Sequence, residues 1–249
     1  MTAATTTTRG GALRVNEIFG PTIQGEGAQI GRPTVFVRLF GCDYRCAWCD
    51  SMYAVDPKHR ATGSRLMSAD EILEAVEQLA GEESGILITL SGGNPALQPC
   101  LDLIAEGQAR GYTFTMETQG SRAQPWFGQL DHLCLSPKPP SSRMATSFDT
   151  LADCLYFAPT DTILKVVVFD ADDYAYARSL WAWAQGIRAG IPMYLQVGNL
   201  TPEPDRALDV MALLACYRRL IDRTVADGWY AVRVLPQLHT LVWGNDRGV

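Results

Sequence analysis

Basic residues are in short supply. Lys and Arg number 21 against 27 Asp and Glu, a formal net charge of −6. Nonspecific binding to nucleic acid needs a basic surface, so no nucleic acid partner is expected. Long hydrophobic runs are missing too. The chain is 47% hydrophobic, but no apolar run approaches the ~20 residues of a membrane span. Residues 1–11 are rich in Thr and Gly and contain no apolar segment of the secretory type. They are expected to be a disordered tail, with residues 12–249 forming a single domain. A disulfide framework is equally absent. Of seven cysteines, Cys100, Cys134, Cys154 and Cys216 are scattered through apolar stretches. They read as core thiols in a reducing compartment, and the expected location is the cytoplasm. What is present is an ordinary soluble composition, 19% charged, in 249 residues, long enough for one α/β domain with a large core.

The remaining three cysteines are Cys42, Cys46 and Cys49, spaced Cys-x3-Cys-x2-Cys. They are too close together, and odd in number, for a disulfide framework. A structural zinc site needs a fourth Cys or His, and the nearest is His59, beyond a Pro. An iron–sulfur cubane offers another solution: three irons take thiolates and the fourth stays open for a small molecule. The spacing resembles that of the radical S-adenosylmethionine (radical SAM) enzymes, in which the open iron chelates the amino acid end of SAM.

Strand and helix patterns alternate along the rest of the chain. Residues 13–19 form the first ordered stretch, and Gln24-Gly25-Glu26-Gly27 follows as a tight loop. Residues 34–40 read as a buried strand that delivers the cysteine loop. Arg38 in its middle needs an anionic partner, either a structural carboxylate or a substrate. Ser68 and Glu71 form a capping box that opens a helix with Ile72, Ala75, Val76 and Leu79 on one face. Further strands are expected over 86–90, 112–116, 131–135, 163–169, 193–197 and 229–235. Helices are expected over 97–109, up to Ile187, and through Leu208, Met211, Leu214 and Leu220. About six or seven such units predict an α/β fold, a partial or distorted (β/α) barrel with a mostly parallel sheet. Ligands of such folds sit over the C-terminal strand ends. Polar motifs fall there repeatedly: Ser91-Gly92-Gly93-Asn94-Pro95, Glu117-Thr118, Ser136-Pro137-Lys138 and Gly198-Asn199.

These segments, with Val37-Arg38-Leu39, Trp48-Cys49-Asp50-Ser51 and Pro236-Gln237-Leu238-His239, resemble the 7-carboxy-7-deazaguanine synthases of deazapurine and queuosine biosynthesis. The resemblance covers nearly everything after the tail. It implies a lyase that converts 6-carboxy-5,6,7,8-tetrahydropterin to 7-carboxy-7-deazaguanine, releasing ammonia. It also implies a 4Fe-4S cluster, SAM, Mg²⁺, a flavodoxin or ferredoxin as electron donor, and a homodimer. Another radical SAM enzyme, such as a glycyl-radical activase, shares the cysteine spacing but lacks the Gln24–Gly27 and C-terminal matches. A zinc-stabilised interaction module is the non-enzymatic alternative.

By resemblance, Cys42, Cys46 and Cys49 hold the cluster. Gly93, Ser136, Pro137 and Lys138 contact SAM, as does the segment Gln196, Val197, Gly198 and Asn199. The hydroxyl of Ser51 ligates Mg²⁺, where many relatives have Thr; from the sequence alone it is a loop cap. The substrate positions are Ile23, Gln24, Gly25, Arg38, Ser91, Glu117, His239 and the carboxylate of Val249. Trp48 shields the cluster or simply packs. One departure stands out: the family's glycine motif often ends in Glu, here Asn94. The resemblance places that side chain towards the SAM ammonium.

Overall fold

The computed structural model describes residues 11–81, 85–199, 201–202 and 208–249. The expected tail therefore lies outside the described residues except for Gly11. Nine strands among the described residues make one sheet: β1 (Leu13–Ile23), β2 (Pro33–Leu39), β3 (Arg65–Met67), β4 (Leu87–Gly92), β5 (Thr113–Thr118), β6 (His132–Leu135), β7 (Thr162–Val168), β8 (Met193–Val197) and β9 (Val232–Leu235). Their order is β3-β1-β2-β4-β5-β6-β7-β8-β9. β1 runs antiparallel to β2 and β3, and every pair from β2 onward is parallel. The sheet is a partial barrel, with β3 and β9 at opposite ends of the order. No helix among the described residues is long and apolar enough to cross a membrane.

The helices are α1 (Ala69–Ala80), α2 (Leu101–Ala109), α3 (Phe148–Phe157), α4 (Ala171–Ile187), α5 (Val210–Ala226) and α6 (Leu238–Trp243). α1 starts at the expected capping box, with both reciprocal bonds between Ser68 and Glu71 in place. Its buried face is Ile72, Leu73 and Val76, whereas the expected Leu79 is 40% exposed. α2 starts at Leu101 rather than 97. Pro99 disfavours helical geometry before it, and residues 95–97 form a separate 3-10 turn. α5 buries Leu213, Leu220 and Thr224, and the expected Met211 and Leu214 turn outward. Tyr217 completes that stripe, four residues after Leu213 and three before Leu220. Trp229 belongs to no strand. It is buried against Tyr174 and Trp181 ahead of β9. β3, α3 and α6 are additions to the expected pattern.

The parallel strands are two-sided. In β7 the alternate residues Leu164, Val166 and Val168 belong to the apolar core. Ile163, Lys165 and Val167 face the barrel interior. In the same way, Val35, Val37 and Leu39 of β2 and Phe114 and Met116 of β5 fill the core. Arg38 and Glu117 turn inward. Burial on the helix face holds the fold, and the interior face is left free for polar groups. Cys100 and Cys154 are core thiols as expected; Cys134 instead lines the barrel interior.

Candidate active site

The cysteine loop leaves the end of β2 at Gly41, whose φ of 104° suits only glycine. The amide of Tyr44 donates to Sγ of Cys42 at 3.3 Å, and the amide of Cys49 to the carbonyl of Cys46 at 3.2 Å. The segment after β6 holds the loop in place. Ala47 N–H reaches the carbonyl of Ser142 at 3.0 Å, Tyr44 donates its hydroxyl to the Ala145 carbonyl at 2.6 Å, and Trp48 donates its indole N–H to Ser141 at 3.0 Å. Trp48 lies 5.2 Å from the Phe169 ring, and the Lys138 ammonium sits 5.8 Å above it. Trp48 therefore packs, and it also forms part of the cavity wall.

All three thiols open on one cavity of about 260 Å³ over the strand ends. Burial pushes each thiol up, to about 11 for Cys46. A bound metal would draw them into the thiolate form. His59, the fourth ligand that a zinc site would need, does not line this cavity. Three soft donors facing one open space suit an iron–sulfur cluster with a free position.

The glycine pair after β4 serves a close backbone approach. A Cβ on Gly93 would meet the Cys42 nitrogen at 3.0 Å, and one on Gly92 the Leu39 nitrogen at 2.6 Å. Both following amides are used within the chain. Gly93 N–H donates to Leu39 at 3.0 Å and Asn94 N–H to Gly41 at 2.8 Å. The side chain of Asn94 does not point at the cavity. It is 1% exposed, its Nδ2 donates to Asp43 and Ser121, and its Oδ1 accepts from Ala96 N–H and the Thr118 hydroxyl. Asn94 therefore ties the cysteine loop to β5.

Two cations hold the cavity floor. Nε of Arg38 donates to Glu17 at 2.6 Å, and the Tyr53 hydroxyl donates to the same oxygen at 3.0 Å. Arg38 thus has a structural carboxylate while also lining the cavity. Lys165, 1% exposed, donates to Glu26 and, at 2.5 Å, to Oε1 of Glu117. Burial alone would raise the Glu26 carboxyl. The charges of Lys165 and His239, with hydrogen bonds from Lys165 and Gln237, outweigh it and bring the value to about 2. The two carboxylates likewise outweigh burial at Lys165 and push it well up. Lys165 is a site residue absent from the motifs read in the sequence, whereas Glu26 and Gln237 stood inside two of them without a role of their own. The signal for Lys165 was available: a charge in a buried strand, the argument applied to Arg38.

Every expected substrate position lines the cavity, from Ile23, Gln24 and Gly25 to Val249. Among the described residues the buried hydroxyl of Ser91 and the buried Oε1 of Gln237 have no protein partner, and both residues line the cavity. Gly93, Lys138, Gly198 and Asn199 also line it, whereas Ser136, Pro137, Gln196 and Val197 stand behind. Ser136 accepts from Lys138 at 3.3 Å, and Gln196 ties β8 to the Pro236 carbonyl at 3.1 Å. Asn199 donates to Asn245 at 2.8 Å, anchoring the last residues over the cavity. Ser51 makes no side-chain cap bond, so the alternative of a loop cap finds no support; its hydroxyl lies 3.8 Å from Sγ of Cys49. With Asp50 also on the wall, hard oxygen donors suited to Mg²⁺ stand beside the thiols.

Comparisons with known proteins agree with this geometry. A model of the Radical SAM superfamily matches residues 37–153. The 7-carboxy-7-deazaguanine synthase of Bacillus subtilis (strain 168) is 44% identical, covering 95% of this chain and 98% of its own. That of Thermoplasma acidophilum is 30% identical, covering 95% and 100%. The crystal structure of QueE from Escherichia coli shares the fold, with a TM-score of 0.67 and 22% identity over 92% of this chain and 95% of that one. The chain belongs to the 7-carboxy-7-deazaguanine synthase family, radical SAM lyases of queuosine biosynthesis.

Proposed function

We propose that this chain converts 6-carboxy-5,6,7,8-tetrahydropterin to 7-carboxy-7-deazaguanine with loss of ammonia. The observation that carries this reading is convergence: residues bearing three thiols, a guanidinium and a carboxylate line one cavity, together with Ser91 and Gln237, each with a buried polar atom unpartnered among the described residues. Family membership implies a 4Fe-4S cluster and SAM. When bound, they supply one-electron cleavage of SAM and hydrogen abstraction from the substrate.

Cys42, Cys46 and Cys49 would hold the cluster, and Trp48, on the wall of the same cavity, would shield it. Gly93, Lys138, Gly198 and Asn199 form the SAM wall. Ser136, Pro137, Gln196 and Val197 support that wall from behind. Arg38 binds the substrate carboxylate through its terminal nitrogens, because Nε is committed to Glu17. Glu117 accepts from the N–H edge of the aminopyrimidinone, and Ser91 adds a polar contact. Ile23, Gln24 and Gly25 line the cavity with His239 packed on Gly25, and Val249 lines it as well. Ser51 would hold Mg²⁺, which when bound would supply positive charge to offset that of the substrate carboxylate. The protein's contribution is to orient the reactants and exclude water. The proposed partners are the pterin, a flavodoxin or ferredoxin as reductant, and a second copy of the chain; the last two rest on the resemblance.

Anaerobic incubation of reconstituted protein with SAM, reductant and carboxytetrahydropterin, read by mass spectrometry, tests the activity. Product and ammonia are expected. Cluster-replete protein that leaves the pterin unchanged would remove the reading.

A further inference from the structure

The carboxylates on either side of Lys165 are not equivalent. Both oxygens of Glu26 are taken, Oε2 by Lys165 and Oε1 by Gln237 at 2.9 Å. Glu117 gives Oε1 to Lys165, and among the described residues its Oε2 has no protein donor. The Glu117 side chain is 29% exposed against 15% for Glu26, and it lines the cavity. Lys165 itself projects from an interior position of β7 with its ammonium between the two, 1% exposed. An ammonium only donates, and a carboxylate only accepts. Lys165 therefore fixes which oxygen of Glu117 remains open and which way it points.

We propose that Lys165 is a positioning residue for substrate specificity: it clamps Oε1 of Glu117 so that Oε2 meets the 2-amino edge of the pyrimidinone and rejects a 2-oxo ring. This rests on the assignment of Glu117 to the pterin ring. A fixed acceptor facing the carbonyl of a 2-oxo ring leaves two acceptors opposed and a buried oxygen unpaired. A Glu117 released from Lys165 turns aside or takes a proton, and the penalty falls.

The test is calorimetric binding of pterin-6-carboxylate and lumazine-6-carboxylate, its 2-oxo counterpart, to anaerobically reconstituted protein with SAM. Wild type is expected to prefer the pterin by about 100-fold, the size of the penalty for one buried acceptor left unpaired. Lys165→Met is expected to shrink that preference by roughly 10-fold, and Lys165→Arg to restore part of it. A folded Lys165→Met protein with the wild-type preference overturns the proposal, because a purely structural lysine leaves the ratio alone. Should Lys165→Met not fold, a crystal structure of wild type with pterin-6-carboxylate decides. Lys165 on Oε1 and ligand N–H on Oε2 supports the clamp; Lys165 bonded to the ligand, or Glu117 turned away, overturns it. Glu117→Gln separates the two claims. An unchanged preference there removes the Glu117 assignment itself. A lost preference there, with an intact one in Lys165→Met, removes only the clamp.

Discussion

The imidazole of His239 lies directly over the α-carbon of Gly25: a Cβ on Gly25 would come within 2.9 Å of both Cβ and Cγ of His239. The carbonyl of Gly25 also accepts from the amide of Leu238 at 3.0 Å. The loop after β1 and the start of α6 are thus one unit, although they are far apart in sequence. Gly25→Ala is predicted to push His239 and α6 outward, at about 1–3 kcal/mol of overpacking. Turnover should fall with iron content unchanged. Wild-type KM and kcat in that variant would show that this contact does not shape the cavity.

Asn94 makes four side-chain hydrogen bonds while buried. Asn94→Ala leaves Asp43 and the Thr118 hydroxyl short of a partner, and the expected loss of stability is about 2–4 kcal/mol. Because Asp43 belongs to the cysteine loop, iron retention should drop as well. Thermal melting and iron assay of the same sample check both. A stable variant with full iron would show that Gln119, which also donates to Asp43 at 2.7 Å, suffices to anchor the loop.

Ser51 caps nothing, so Ser51→Ala should leave the melting temperature within about a degree or two of wild type. Its predicted effect is a weaker stimulation of turnover by Mg²⁺. An unchanged Mg²⁺ titration would count against the ligand role.

Glu26 supplies a pH signature. Its folded-state value, about 2, lies below the ordinary 4.5. The stability this gives is fully present above the ordinary value and is lost as pH falls from about 4.5 towards about 2. Lys165→Met is predicted to cost about 3–5 kcal/mol at neutral pH, since it leaves two carboxylates facing each other without a cation. Its stability should rise on mild acidification, where wild type is flat. Urea denaturation across pH checks the sign; parallel curves would contradict the pairing.

Much of this was legible in the chain itself. The cysteine spacing, the capping box at Ser68 and the polar strand ends are local signals, and the structure keeps them. α4 ends at Ile187 and β8 spans Met193–Val197, as the pattern indicated. What escaped depends on contacts between distant residues. Glu17 is the partner of Arg38 only because β1 folds back antiparallel on β2. Lys165 was hidden in a run of apolar strand residues, and its meaning appears only when Glu26 and Glu117 arrive from other elements. Asn94 was expected to face a ligand, and only the tertiary structure shows it turned into a hydrogen-bond network. On α5, Met211 and Leu214 share a helical face just as well as Leu213 and Leu220 do; the sheet decides which one is covered.

The whole account depends on what the three thiols hold. The most direct measurement is iron, acid-labile sulfide and zinc content after anaerobic reconstitution, with the Cys42→Ala, Cys46→Ala and Cys49→Ala variants alongside. The account predicts about four iron and four sulfide per wild-type chain, and their loss in each variant. Zinc without sulfide, or a colourless chain that takes up neither metal, would contradict it.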